Sequence, residues 1–119
     1  LGLLRRSDGA YLLQRRSDGV GWAFPGGTSR RREPAETTLR REWSEETGME
    51  VTGVRLLYCY HDREYVPGVV SVYWVEAAGE PRGSWEGEVS WQMLDGARAE
   101  FFRSQIPILE LLKGRGLPD

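Results

Sequence analysis

GTSRRREPAETTLRREWSEETGM, residues 27 to 49, is the stretch that decides how the rest of the chain is read. From Glu33 to Thr47 it carries a helical pattern. Pro34 stands near the first turn, where a missing N–H costs nothing, and Gly48 falls just past the end, where a left-handed residue stops a helix. On a wheel of roughly 100° per residue, Ala35, Leu39 and Trp43 define the apolar side. Glu42 and Glu46 fall on that same inward side, and Glu45 sits at its margin. Burying an unpaired carboxylate is expensive, and like charges at i, i+4 repel further. A surface helix rich in i, i+4 pairs would simply leave its acids solvated. If they turn inward, Arg41 can neutralise one of them but cannot satisfy three. A hard divalent cation with oxygen ligands then answers the pattern, magnesium taking one or two carboxylates with waters and phosphates.

The spacing favours the second reading. Gly27, five residues, Glu33, seven residues, then Arg41-Glu42-Trp43-Ser44-Glu45-Glu46-Thr47-Gly48-Met49 resembles the Nudix box, G-x5-E-x7-R-E-U-x-E-E-x-G-U with U a bulky apolar residue. Leu12-Leu13-Gln14-Arg15-Arg16 and Trp22-Ala23-Phe24-Pro25-Gly26-Gly27 resemble the strand and entry loop that precede such a box. The resemblance implies metal-binding roles for Glu42, Glu45 and Glu46, an orienting role for Arg41 and an auxiliary one for Glu33. It implies attack of an activated water on one phosphorus of a diphosphate linkage, supported by magnesium, with manganese as a substitute. Glu45 is the candidate general base, with Arg41 and Glu42 beside it, although a later glutamate takes that role in some members. Glu86 or Glu88, just before Val89, is a candidate further ligand, and Glu86 is the one carried forward.

On the substrate side, Arg16 is a candidate phosphate contact and Gly27 a point of close backbone approach. Trp22 and Phe24 would stack on a base or pack the loop onto the core. Tyr65 resembles a tyrosine of members acting on dinucleoside polyphosphates, whereas Pro67, two residues on, resembles an ADP-ribose marker. The expected substrate is a nucleoside diphosphate linked to another group, as in a nucleoside triphosphate or dinucleoside polyphosphate, with ADP-ribose or a nucleotide sugar as the alternative. A domain that senses a nucleotide without turnover is the competing class, but such domains tend to lose box acids and this chain keeps them. Two departures stand out: Arg30-Arg31-Arg32 where an acid, a proline and a glycine are common, and Trp43 in a slot of smaller aliphatics. His61 is read as structural or solvated.

Around this segment the chain reads as α/β, a mixed sheet packed between helices in one domain spanning residues 1 to 119. Leu1 to Arg6 and Ala10 to Arg16 read as strands joined at Ser7-Asp8-Gly9 in a hairpin-like turn. Val54 to Tyr60 alternates as a strand, Val69 to Ala77 reads as one buried on both faces or central, and Val89 to Met93 as a last short one. Phe102 to Lys113 reads as a second helix, with Ile106, Leu109 and Leu112 on one face. The composition, 39% hydrophobic and 29% charged with 15 glycines, is that of a soluble globular protein. A net charge of −2 gives no global case for binding a nucleic acid polymer, although nine arginines crowd the first 41 residues. No apolar run approaches the roughly 18 residues of a membrane span. The single Cys59 suggests neither a disulfide nor a metal pair. A cytoplasmic location fits, and a second copy of the chain is a candidate partner because homodimers are frequent in the family. The opening at Leu1, directly in an apolar segment, suggests absent upstream residues.

Overall fold

The computed structural model describes residues 1–19, 21–27, 31–62 and 68–114. Among these residues, six strands form two three-stranded sheets. In the first, β5 (Gly68–Ala78) is central, pairing parallel with β1 (Gly2–Leu3) and antiparallel with β4 (Glu50–Asp62). In the second, β2 (Tyr11–Arg16) lies between β3 (Trp22–Ala23) and β6 (Gly87–Gln92), both antiparallel to it. Helix α1 (Ala35–Thr47) follows the loop after β3, α2 (Leu94–Ala97) follows β6, and α3 (Ile106–Gly114) closes the described chain.

Alternation along β2 explains the layering. Tyr11 and Leu13 enter one core with Phe24, Ile108, Leu109 and Leu112, beneath α3. Leu12, one step out of phase, enters the other with Leu39, Trp43, Met49 and Val75, beneath α1. Helices therefore cover opposite faces, as the α/β reading expects.

The boundaries of α1 follow from its end residues. Pro34, at φ −60° and ψ 147°, is extended and caps the helix, so Glu33 lies outside it rather than starting it. Gly48 is left-handed at φ 73°, and its N–H donates to the Ser44 carbonyl at 2.9 Å. Thr47 Oγ1 donates to the Trp43 carbonyl and accepts from the Met49 N–H, which ties off the last turn. Leu39 and Trp43 are buried as the wheel requires, but Ala35, in the first turn, is exposed.

Several other expectations need correcting. The first two segments keep one hairpin bridge, Arg5 to Tyr11, but β1 itself pairs with β5, because its backbone finds a full partner in the long hairpin opposite. β4 contains the Val54–Tyr60 strand but is longer at both ends, with register shifts at Val51/Gly53 and Leu56/Tyr58. β5 is the central strand of its sheet, one of the two alternatives expected for it, and Val69 at its start is 73% exposed. The last helix starts at Ile106, after a 3-10 turn at Arg103–Gln105, and Pro107 falls in its first turn. The short helix α2 has no sequence signal long enough to reveal it.

Trp43 is the anchor of α1: it is fully buried, and its Nε1 donates to the Gly2 carbonyl at 3.3 Å. Trp43→Ala is expected to lower unfolding free energy by about 3–5 kcal/mol, the usual cost of emptying a large aromatic site. Chemical denaturation measures it, and Trp43→Phe should cost distinctly less.

Candidate metal centre

Arg41 organises the inward face of α1. Its Nε and Nη2 donate to the two oxygens of Glu33 at 3.0 and 2.8 Å, and its Nη1 donates to Glu42 at 2.5 Å. Thr38 Oγ1 adds a bond to Glu33 at 2.9 Å. These charge-assisted bonds hold the Arg41 guanidinium far above its ordinary pKa, with the bonds from Glu33 and then Glu42 as the largest causes. A planar fork gripped on one side by Glu33 presents Glu42 from the other, so Glu42 is fixed in orientation.

The loop before the helix completes the cradle. The Gly26 N–H donates to Glu46 Oε2 at 2.6 Å. A Cβ on Gly27 would lie 2.6 Å from Glu42 Cγ, so only glycine lets that side chain pass. From the other side, the turn at Ser84 to Gly87 brings in Glu86, and carboxylate oxygens of Glu42, Glu46 and Glu86 lie within 4.8 Å of one another.

Glu46 is only 5% exposed, and its pKa is pushed up to about 9. Burial is the largest cause; the Gly26 bond opposes it, and hydrogen bonding and charge from Glu86, then the charge of Glu42, add to it. Three carboxylates gathered this closely suit a hard divalent cation, since a positive charge at their centre removes the reason for Glu46 to hold a proton. Glu42, Glu46 and Glu86 are the residues that would hold it.

The other candidates fall into place unevenly. Glu45 is exposed at the margin of the wheel, with Arg41 Nη1 3.9 Å away, and is not one of the three glutamates whose oxygens lie within 4.8 Å of one another. Glu88 is exposed and apart from the cluster, whereas Glu86 is half-buried within it. Arg16 is bonded to Asp18, lies over the Phe102 ring at 5.0 Å, and lines a cavity of about 350 Å³ with Gly26, Gly27, Thr38 and Leu39. Phe24 is 1% exposed and packs against Tyr11 and Phe101, on the core side of the loop. Trp22 is half-buried under Arg15 and bridges Phe101, which makes it a wall of the core. His61 is exposed. Tyr65, Pro67 and Arg30 lie outside the described residues.

Phe102 and Gln105 were not legible as site residues. Gln105 Oε1 accepts from the Phe24 N–H at 2.7 Å across 81 positions, a contact that no local pattern announces.

A family model, the NUDIX domain, matches residues 1–112. An RNA pyrophosphohydrolase of Pseudomonas aeruginosa is 40% identical over 57 residues, 48% of this chain and 36% of that protein. The matched stretch thus spans about a third of the length of that curated relative. Among solved structures, MutT studied from Aliivibrio salmonicida and Vibrio cholerae superposes with a TM-score of 0.78 at 23% identity, covering 96% of this chain and 94% of that one. A bifunctional NMN adenylyltransferase/ADP ribose pyrophosphatase from Francisella tularensis gives 0.72 at 17% identity, covering 96% of this chain and 40% of that one. At these identities the likeness establishes the fold. Among the described residues, no helix is long and apolar enough to cross a membrane.

The raised pKa of Glu46 fixes a sign. A carboxyl that binds its proton more tightly in the folded chain contributes stability fully below its unfolded value, 4.5, and loses that contribution as pH rises through about 9. Metal-free protein should therefore lose stability between pH 5 and 9, and Glu46→Gln should flatten that slope in thermal unfolding. Adding a divalent cation at pH 7 should release about one proton per chain, measured by calorimetry in buffers of different ionisation enthalpy.

Proposed function

Because the chain belongs to the Nudix family, we propose that it is a magnesium-dependent pyrophosphohydrolase, cleaving the diphosphate linkage of a nucleoside diphosphate that carries a further group. The observation that carries this reading is the convergence of Glu42, Glu46 and Glu86 beside the glycine loop, whose Gly26 and Gly27 line one cavity with Arg16. A nucleoside triphosphate or dinucleoside polyphosphate is the substrate class that fits, in a cytoplasmic setting. The Francisella tularensis structure holds AMP and manganese, which supports a nucleotide and a divalent ion as the pair to test.

When bound, the cation supplies charge for the phosphoryl oxygens and an acidified water. The chain's own groups do the rest. Arg41, clamped by Glu33, keeps Glu42 in its ligand pose. The Gly26 N–H keeps Glu46 from turning away. Glu45, exposed on the adjoining flank, is the group we assign to take the proton as the water oxygen bonds to one phosphorus and the bridging oxygen leaves with the other phosphate. Arg16, which lines the cavity, is the group we assign to draw a phosphate into it. Release of its guanidinium from Asp18 would be the accompanying change.

The stretch shared with the RNA pyrophosphohydrolase favours a second reading, in which the substrate is the triphosphate at the 5′ end of an RNA. ADP-ribose and nucleotide sugars complete the set worth comparing.

A panel of these substrates with magnesium, products identified by mass spectrometry and the attacked phosphorus by solvent oxygen-18, should show a nucleoside monophosphate or pyrophosphate-type product from one class. Absence of cleavage across the panel contradicts the hydrolase reading and favours a nucleotide sensor. Glu46→Gln should remove nearly all turnover, a loss of about 100-fold or more, with circular dichroism unchanged. Retention of activity at saturating magnesium would count against its assigned role.

A further inference from the structure

Gln14 takes no part in the site as described. It lies within β2, is 5% exposed, and its Nε2 is a buried donor with no acceptor among the described residues. An unpaired buried amide is destabilising, and folded chains keep few of them. An apolar residue at this position would avoid the cost, as Leu12 does two residues earlier.

Register says which way Gln14 faces. It pairs with Ala23 on β3 and Val89 on β6, and cross-strand partners share a face. Val89 and Leu12 both pack into the core beneath α1, so Gln14 projects toward α1 as well. Register also gives its level. Both neighbouring strands run opposite to β2, so β3 continues past one end of the Gln14 row toward Gly26, while Glu86 precedes β6 beyond the other end. Glu46 accepts from the Gly26 N–H and meets Glu86, so it lies between the two segments that flank the Gln14 row. Glu46 and Glu86 are the acids toward that side; the Arg41 guanidinium is committed to Glu33 and Glu42, and Arg16, two residues along the same face of β2, is paired with Asp18. A neutral primary amide in such a place serves as a donor.

We infer that Gln14 is a positioning residue: its Nε2, through one ordered water, donates to Glu46 and holds that carboxylate facing the cluster. The kinetic part of this inference rests on the proposed hydrolase reading, and the binding part does not. The amide acts through Glu46, so its removal changes how well the site holds a cation and how fast it turns over, rather than how the substrate is bound.

Gln14→Met keeps the length and removes both donors. Without metal, its melting temperature should equal or exceed that of the unaltered protein, because an unpaired amide has gone. Manganese affinity, measured by electron paramagnetic resonance without substrate, should weaken about tenfold, the scale of one hydrogen bond to a charged group. With the best substrate of the panel, kcat should fall by about the same factor while KM stays within about twofold. Gln14→Asn, which keeps the donors one methylene further back, should recover part of both losses. Unchanged manganese affinity and kcat in Gln14→Met overturn the inference and leave an idle amide. A lower melting temperature with losses that Gln14→Asn does not recover also overturns it, in favour of packing. A rise in KM alone overturns it in favour of direct substrate contact. If the unaltered protein cleaves nothing, the hydrolase reading fails while the manganese titration still decides the role of Gln14.

Discussion

Three glutamate carboxylates lie within 4.8 Å of one another on the inner side of one helix and the turn facing it, with Glu46 almost wholly buried. Like charges at that spacing repel, and burial denies them water to screen the repulsion. Without a cation the cluster relieves itself by keeping a proton on Glu46; with a cation, all three charges become favourable. The rest of the structure can be understood as what it takes to keep such a cluster assembled. The bidentate Glu33–Arg41 pair and the Arg41–Glu42 bond fix one member, the Gly26 N–H fixes another, and the tight turn at Ser84 to Gly87 delivers the third.

Such a site needs a rigid platform, and the packing supplies one. Helix α1 is tied at one end by Pro34 and at the other by the left-handed Gly48, while Leu39 and Trp43 bury its stripe on β2 and β5. The same strand β2 carries Tyr11 and Leu13 into the opposite core, so the sheet under the site is clamped from both faces. A strain at the carboxylates is therefore not relieved by helix movement, which would empty a fully buried tryptophan site.

Much of this was legible in the sequence because the information is local. The helix, its proline start, its glycine stop and the inward Glu42 and Glu46 all lie within 22 residues of one another, where a period of 3.6 can be counted. The marginal place of Glu45 was legible for the same reason. What the sequence hid depends on distant partners. Whether Glu86 or Glu88 turned inward depends on a two-residue turn against Ser84. Whether Phe24 faced substrate or core depended on Gln105 and Phe101, some 80 positions away. The choice of β1 between Tyr11 and β5 was set by the long hairpin of β4 and β5. Gln14 could not be recognised as unusual until the strands on both sides had placed it in a buried row.

Glu42, Glu46 and Glu86 are arranged to form one cation site. The most direct test is a crystal structure of the protein soaked with manganese, with anomalous diffraction locating the ion. The expected result is an anomalous peak ligated by carboxylate oxygens of all three glutamates, with Arg41 still bonded to Glu33. A peak elsewhere, or a cluster in which Glu46 and Glu86 remain joined to each other at saturating manganese, would contradict it.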